Sequence, residues 1–382
     1  MNFLALKMLV GDKLKYIALV AGIAFAALLI TQQASIFAGF SLQIGTWIRH
    51  TGPADVWVMD DQVEFDNDFK PMSDTALQRV RGIDGVKWAV PMYKNYLRVR
   101  LPDGTKVLSR VIGLDDATLT GGPPEVTRGS LSDLRQDRAV LVNEEQARTT
   151  LRLRRLEDRP LEVGDLISVN DHDAIVAGFY KAPREFFWDP VVYTTYSRAL
   201  AWAPAERRML SYVLVKGREG VAPQELAERI SGVTGLKALT QEQFDKISTK
   251  ELLDRTGILV NFGITIVLGF VIGMLVAGQT FYTFVLDNLR HFAALKAMGT
   301  TNWTVLKMMC LQVVLVGSIG YGLGVGFASL TGVIFGNGKL AFHMAWQIPL
   351  VGGFAVLCCC LVAGVLGMVR VVKLEPGIVF KS

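Results

Sequence analysis

The chain has 382 residues, of which 51% are hydrophobic and only 20% charged, below the roughly 25% charge of soluble domains. Its formal charge of +5 is unevenly spread: residues 39–257 hold 30 Lys/Arg against 32 Asp/Glu, whereas the remainder holds 10 basic against 3 acidic residues. This composition excludes a soluble enzyme, a disordered chain and a secreted disulfide scaffold, and it puts the basic excess beside apolar segments instead of on a nucleic-acid-binding face.

Four stretches lack Asp, Glu, Lys and Arg altogether: 16–48, 256–286, 308–338 and 340–369. Each exceeds the about 20 apolar residues that cross a bilayer. The expected fold is an α-helical membrane protein with four transmembrane helices, one plus three, and a large mixed α/β extracytoplasmic domain inserted after the first. In chain order we assign an N-terminal interfacial helix to 1–15, transmembrane helix 1 to 16–38 and the α/β domain, with a β-rich insert and stalk ends, to 39–257. Transmembrane helix 2 follows at 258–286, a cytoplasmic helix at 287–303, helix 3 at 308–336, helix 4 at 348–370 and a cytoplasmic tail at 371–382. Lys7, Lys13 and Lys15 precede the first span, Arg290, Lys296 and Lys307 separate the second from the third, and Arg370, Lys373 and Lys381 follow the fourth. Basic flanks stay inside, so both termini are expected in the cytoplasm of a plasma (inner) membrane. The first apolar run is longer than the 7–15-residue core of a cleavable signal and reads as a retained anchor.

The 256–286 stretch would measure about 46 Å as a helix, beyond a hydrocarbon core of about 30 Å. Thr31, Gln32, Gln33 and Ser35 also place polar groups in the outer half of the first span. Two readings fit: stalk helices that continue outside the membrane, or tilt with an interfacial turn.

Inside 39–257, residues 54–59 alternate like a strand, 73–80 read as a capped helix ended by Gly82–Gly85, and 86–91 resume extended structure. The order recurs at the far end, with strand 212–215, helix 223–230 and strand 236–239. Two β-α-β units thus form a split α/β subdomain around a β-rich insert. In the insert, 97–101 and 106–112 flank Pro102-Asp103-Gly104-Thr105, a hairpin signal, and 161–196 add short strands. Residues 144–156 read as a helix with a basic face.

Chemistry-bearing motifs are few. Gly336-Asn337-Gly338-Lys339 lacks the G-x-x-x-x-G-K-[ST] spacing that cradles phosphates and reads as a turn. His172 lies in Asn170-Asp171-His172-Asp173, which is more simply a hairpin turn than a metal site. No carboxylate falls within a span, against a proton-driven transporter. The four cysteines, Cys310 and Cys358, Cys359 and Cys360, all lie in predicted spans and read as packing residues. No metal or cofactor is expected on this chain.

The informative segment is 287–303, DNLRHFAALKAMGTTNW. As a helix it lines Leu289, Phe292, Leu295 and Met298 on one side, flanks them with Arg290 and Lys296, and breaks at Gly299. Such an element either docks into a groove of a cytoplasmic partner or lies in the headgroup layer. Together with residues 21–26 and the Leu374-Glu375-Pro376-Gly377-Ile378-Val379-Phe380 tail, the run Phe292-Ala293-Ala294-Leu295-Lys296-Ala297-Met298-Gly299 resembles FtsX/MacB-type ABC transporter permeases, most of all their DevC branch. His291 and Phe292, and Glu375-Pro376-Gly377, depart from that branch's usual residues.

The resemblance implies a non-catalytic permease subunit that dimerises and pairs with a separate cytoplasmic ABC ATPase, which binds the ATP and Mg. Leu289, Arg290, Phe292, Leu295, Lys296, Met298 and Gly299 would contact that ATPase, whose closure would move the periplasmic domain by mechanotransmission. It further implies export of an amphiphilic substrate through a HlyD/MacA-like periplasmic adaptor and a TolC-like channel. The small-residue pairs Gly269/Gly273 and Gly320/Gly324 would pack helices or a second copy closely in membrane lipid. Phe186, Phe187 and Trp188 form either an exposed adaptor anchor or an inward corner of the insert. An FtsX-like regulator of cell-wall hydrolases and a membrane-anchored ligand sensor are the alternatives. The second lacks any sizeable cytoplasmic signalling segment.

Overall fold

The computed structural model describes residues 2–155, 158–336 and 340–372. The chain divides into a helical unit, Met1–Ser41 with Thr256–Ser382, and an α/β unit, Leu42–Arg255. The expected turn at 336–339 runs into residues outside those described, and the 374–380 tail lies outside them entirely.

Among the described residues, four helices are long and apolar enough to cross a membrane: Lys13–Ile44, Ile258–Asp287, Asn302–Phe335 and Gln347–Val365. A short helix, Asn2–Gly11, precedes the first. The second begins after Gly257, whose φ of 63° ends the preceding helix Gln241–Thr256; a left-handed residue is tolerated there because glycine has no Cβ. The break sits at the edge of the 256–286 stretch, and Ile258–Asp287 continue as one 30-residue helix, about 45 Å long. Of the four polar residues of the first span, two are turned inward and Gln32 and Gln33 are half-buried. Thr31 and Ser35 are fully buried, and the Ser35 carbonyl accepts the His343 N–H at 2.9 Å. They face the bundle, and the helix that carries them runs for 32 residues, Lys13–Ile44, about 48 Å and longer than a hydrocarbon core of about 30 Å.

Among its described residues the α/β unit contains ten strands. β1 (Val56–Met59), β2 (Val86–Arg100), β3 (Lys106–Leu114), β4 (Glu125–Arg128) and β5 (Ala139–Asn143) come first. β6 (Leu166–Val169), β7 (His172–Lys181), β8 (Val191–Thr195), β9 (Tyr212–Gly217) and β10 (Lys237–Thr240) complete them. At one end the order is β10-β1-β9-β2, with helices Ala76–Arg81 and Pro223–Thr234 as the two crossovers. This is the split β-α-β arrangement, formed by the beginning and the end of the unit as their repeated pattern predicts. Leu226 and Ile230 pack the second helix on Val56, Val58, Val213 and Val215.

β2 is a single 15-residue strand where the sequence suggests two. Val86–Met92 pair with β9, and from Tyr93 onward the strand pairs with β3. Pro91 sits before the β3 register begins, so its missing N–H removes no bond on that side. Beyond this point the pairs β2–β3, β3–β8, β8–β5, β5–β7, β7–β6 and β6–β2 close a ring. The β-rich insert is a six-stranded barrel, and closure leaves those strands no free edge. Leu97, Val99, Val111, Val140, Val142, Val176 and Val192 fill its interior, while the alternate residues Ile112, Leu141 and Tyr193 face the other core.

Asn170 and Asp171, with φ of 48° and 66°, form the two-residue turn joining β6 and β7, as read from the sequence. The 144–156 helix is shorter than predicted, covering only Glu144–Arg148. Two β-branched threonines follow it, and Leu151 and Leu153 are drawn into the barrel core. Asp103, in the turn between β2 and β3, accepts the Arg154 and Arg155 N–H groups at 3.0 and 3.2 Å, which holds the chain away from a helical path.

Candidate functional site

Asn288 separates Ile258–Asp287 from a nine-residue helix, Leu289–Ala297. Its apolar residues do not form one outward face. Phe292 is 0% exposed and Leu295 7%, whereas Met298 is 75% exposed. Phe292 packs among Leu9, Phe284, Val285, Val305 and Met309, and Leu295 packs on Met308 and Met8. The shared Leu289–Phe292–Leu295–Met298 docking face is thus corrected: two of the four hold the helix to the bundle. Arg290, His291, Ala297 and Met298 are exposed, with Leu289 and Lys296 half-buried. Gly299, at φ 91°, reverses the chain before Thr301 caps Asn302–Phe335, its hydroxyl accepting the Thr304 N–H at 3.4 Å.

Both small-residue pairs pack against the first apolar helix of the same chain. A Cβ at Gly273 would lie 2.2 Å from the Ala26 Cβ, and one at Gly269 would lie 3.1 Å from the Leu29 Cβ. At Gly320 it would meet Ile23 at 2.8 Å, and at Gly324 the Ala24 carbonyl at 2.5 Å. Lys13–Ile44 is therefore gripped on two sides by glycine seams, Gly269/Gly273 and Gly320/Gly324, and these seams are filled within one chain. Cys360 and Cys359 are buried in the same bundle.

The aromatic segment 186–188 is pinned by a polar cluster that the sequence reading missed. Arg110, 1% exposed, pairs with Glu185 and donates to the Phe187 carbonyl at 3.1 Å. Tyr96 donates to Asp189 at 2.8 Å, and Gln146 bonds both the Asp189 carbonyl and the Val191 N–H. The Phe186 N–H donates to the Gln43 carbonyl at 3.1 Å. Phe186 and Phe187 are half-buried, and Trp188 is at the edge of exposure with the Arg184 guanidinium 3.9 Å from its ring.

Beside this lies Lys94, wholly buried, 3.1 Å from the Asp66 carboxylate and 3.6 Å over the Trp47 ring. Burial pushes Lys94 down to about 8, with the attraction of Asp66 opposing it. Burial alone would lower Arg110 too, but Glu185 holds it above its ordinary value.

Two family models match this chain. The MacB-like periplasmic core domain covers residues 17–233, more than half of the chain, and the FtsX-like permease C-terminal domain covers 263–376. The chain belongs to the MacB/FtsX-type permease family. Two uncharacterised ABC transporter permeases from strains of Mycobacterium tuberculosis are 27% identical over 146 residues. The matched stretch is 36% of this chain and 40% of each relative. The periplasmic region of MacB from Actinobacillus actinomycetemcomitans aligns with a TM-score of 0.37 and 12% identity, covering 52% of this chain and 94% of that one. The extracellular domain of the noncanonic ABC-type transporter YknZ from Gram-positive bacteria aligns at 0.34 and 16%, covering 49% and 98%. The family assignment stands on the two sequence models, not on these superpositions.

Membership of the MacB/FtsX-type permease family, with the four apolar helices, makes the protein a multi-pass membrane protein with an extracellular domain. For the family's DevC branch there is no specific support. The one signal that could have exposed the polar cluster is the alternation of β2. Met92, Lys94 and Tyr96 share a face, so Lys94 interrupts a row that must be buried.

Proposed function

We propose that this permease is a non-catalytic subunit that converts the closure of a separate cytoplasmic ATPase, carrying the ATP and Mg, into movement of its extracytoplasmic α/β unit. The unit would follow the first of four spans, with both termini cytoplasmic, in the inner membrane. Export of an amphiphilic substrate as a dimer, through a HlyD/MacA-like adaptor and a TolC-like channel, is the reading that the family suggests. Because the glycine seams are occupied within the chain, the dimer would use other faces.

One observation carries the mechanical part. Within the α/β unit, the incoming helix Thr46–His50 and the outgoing helix Gln241–Thr256 are fastened together. Arg49 pairs with Asp245 at 2.7 Å, Gln241 donates to the Ile48 carbonyl at 2.7 Å, and Trp47, Trp57, Tyr212 and Phe244 pack edge-to-face or tilted with centroids 5.1–6.0 Å apart. A displacement applied at the two chain connections acts on one joined element that also abuts β1 and β9. The unit would then move as a body instead of fraying at one end.

The test is a mild-detergent pull-down of the full chain from its native membrane. Recovery of a small ATPase with a periplasmic adaptor supports export, and an ATPase with a peptidoglycan hydrolase supports the regulatory alternative. The absence of any ATPase overturns the reading. Arg49→Ala combined with Asp245→Ala should keep the ATPase bound yet abolish the ATP-dependent change in protease cleavage of the α/β unit.

A further inference from the structure

The last two apolar helices, Asn302–Phe335 and Gln347–Val372, enclose a recess of about 160 Å³. Val313, Gly317, Val356 and Cys360 are its buried lining, and Val314 and Leu357 belong to its exposed rim. Tyr321 stands at one end, where its hydroxyl donates to the Pro349 carbonyl at 2.6 Å. The lining runs over 313–321 on one helix and 353–361 on the other, about 12 Å along each. Both stretches are central in their helices, so the recess lies within the hydrocarbon depth of a span.

Its chemistry excludes water as the filler. The Ser318 hydroxyl donates to the Val314 carbonyl at 2.8 Å, and the Tyr321 hydroxyl is engaged as well. A water needs two to four polar partners, and an apolar cavity of about 150 Å³ stays dry and takes up an apolar molecule instead. Left empty, the lining would forfeit its dispersion contacts on one side. Its size excludes a second copy of the chain. A helix is about 10–12 Å across, and a stable protein interface covers about 800 Å² on each partner, far more than this recess offers. Spread over its length, the volume is one alkyl chain wide, and it runs parallel to the helices, as lipid chains do.

We propose that this recess binds one acyl chain of a membrane lipid, extended along the two helices. The chain completes the packing between them, so that lipid is a structural ligand of this part of the bundle. Apolar surfaces gain no hydrophobic drive in lipid, so the preference for the recess comes from close packing against a rigid wall. The site is independent of the coupling role proposed above.

The experiment places a photo-crosslinking amino acid at Leu357 on the rim and, as a control, at Leu275, similarly exposed in the middle of Ile258–Asp287. The full chain is reconstituted in vesicles of phosphatidylethanolamine and phosphatidylglycerol, irradiated before and after dilution into detergent, and its adducts are read by mass spectrometry. Both positions should capture lipid in the vesicles, and after dilution Leu357 should retain several-fold more than Leu275. Gly353→Leu, which puts a side chain into the recess, should reduce the Leu357 adduct to the level of the control. Gly353→Ala serves if that variant fails to fold: its methyl would meet the Tyr321 ring at 3.4 Å, an ordinary contact, and should remove part of the adduct. Equal loss from both positions on dilution, or an adduct unchanged by both glycine variants, would show exchangeable lipid alone and overturn the site. A chain-to-chain adduct at Leu357 would overturn it in favour of a second copy.

Discussion

Lys94→Met will destabilise the α/β unit by roughly 3–5 kcal/mol, because it leaves the Asp66 carboxylate buried without its cation. The ammonium is wholly enclosed, 3.1 Å from that carboxylate and 2.9 Å from the Asp66 carbonyl. It also lies against Trp47, where a desolvated cation–ring contact adds about 2 kcal/mol. Denaturant unfolding of the full chain in detergent, followed by near-ultraviolet circular dichroism, measures the loss. The double variant Lys94→Met with Asp66→Asn removes the orphaned charge and should recover part of it. A single variant within about 1 kcal/mol of wild type would mean that the pair is not closed to water, against its burial.

The same group sets a pH dependence whose sign follows from its depressed value. Folding lowers Lys94 from an ordinary 10.5 to about 8. Between those values the unfolded chain binds a proton that the folded chain has lost, so stability from this group rises with pH across the window. Its contribution is greatest above 10.5 and is lost as pH falls through about 8. The wild type should therefore gain stability relative to Lys94→Met between pH 8 and 10.5, and the difference between the two should level off on either side.

How much of this could be read from the residues alone depends on whether the signal is local. The four apolar runs announce themselves because a span has to be uncharged over some 20 residues. The β-α-β units at the two ends, and the Asn170–Asp171 turn, are local in the same way: period, caps and turn chemistry lie within a dozen residues. Partners are not local. Phe292, Leu295 and Met298 are all apolar at helical spacing, and nothing in that spacing says that the first two meet Leu9, Met8 and Met308 while the third is left outside. Arg110 and Glu185 are 75 residues apart, so their pairing could not be read from spacing, and without it Arg110 passes for a surface cation on a hairpin. Residues 144–156 failed for a related reason. Their helical pattern is real for one turn, and then Leu151 and Leu153 find a better burial in the barrel than any helix would give them. Barrel closure itself depends on β6 returning to β2, a pairing with no sequence mark.

Gly273→Ala and Gly324→Ala will each destabilise the helical bundle by about 1–3 kcal/mol, whereas Gly322→Ala and Gly326→Ala will be neutral or stabilising. At Gly273 the new methyl would lie 2.2 Å from the Cβ of Ala26, and at Gly324 it would lie 2.5 Å from both the Ala24 carbonyl and the Ala27 Cβ. None of these neighbours has a flexible end to swing aside, so the helices must separate, and a close backbone approach is what holds apolar helices together in lipid. Gly322 and Gly326 have nothing within 4 Å of a built Cβ, so alanine there adds helix propensity alone. Thermal unfolding of the four purified variants in one detergent gives the order, and size-exclusion mass measurement on the same samples gives the assembly. Loss of folded protein at Gly273 and Gly324, without a prior shift to smaller particles, is the outcome of seams that lie within a chain. Variants that stay folded but fall apart into lighter particles would instead place the seams between copies, and the packing of Lys13–Ile44 against its own chain would be wrong.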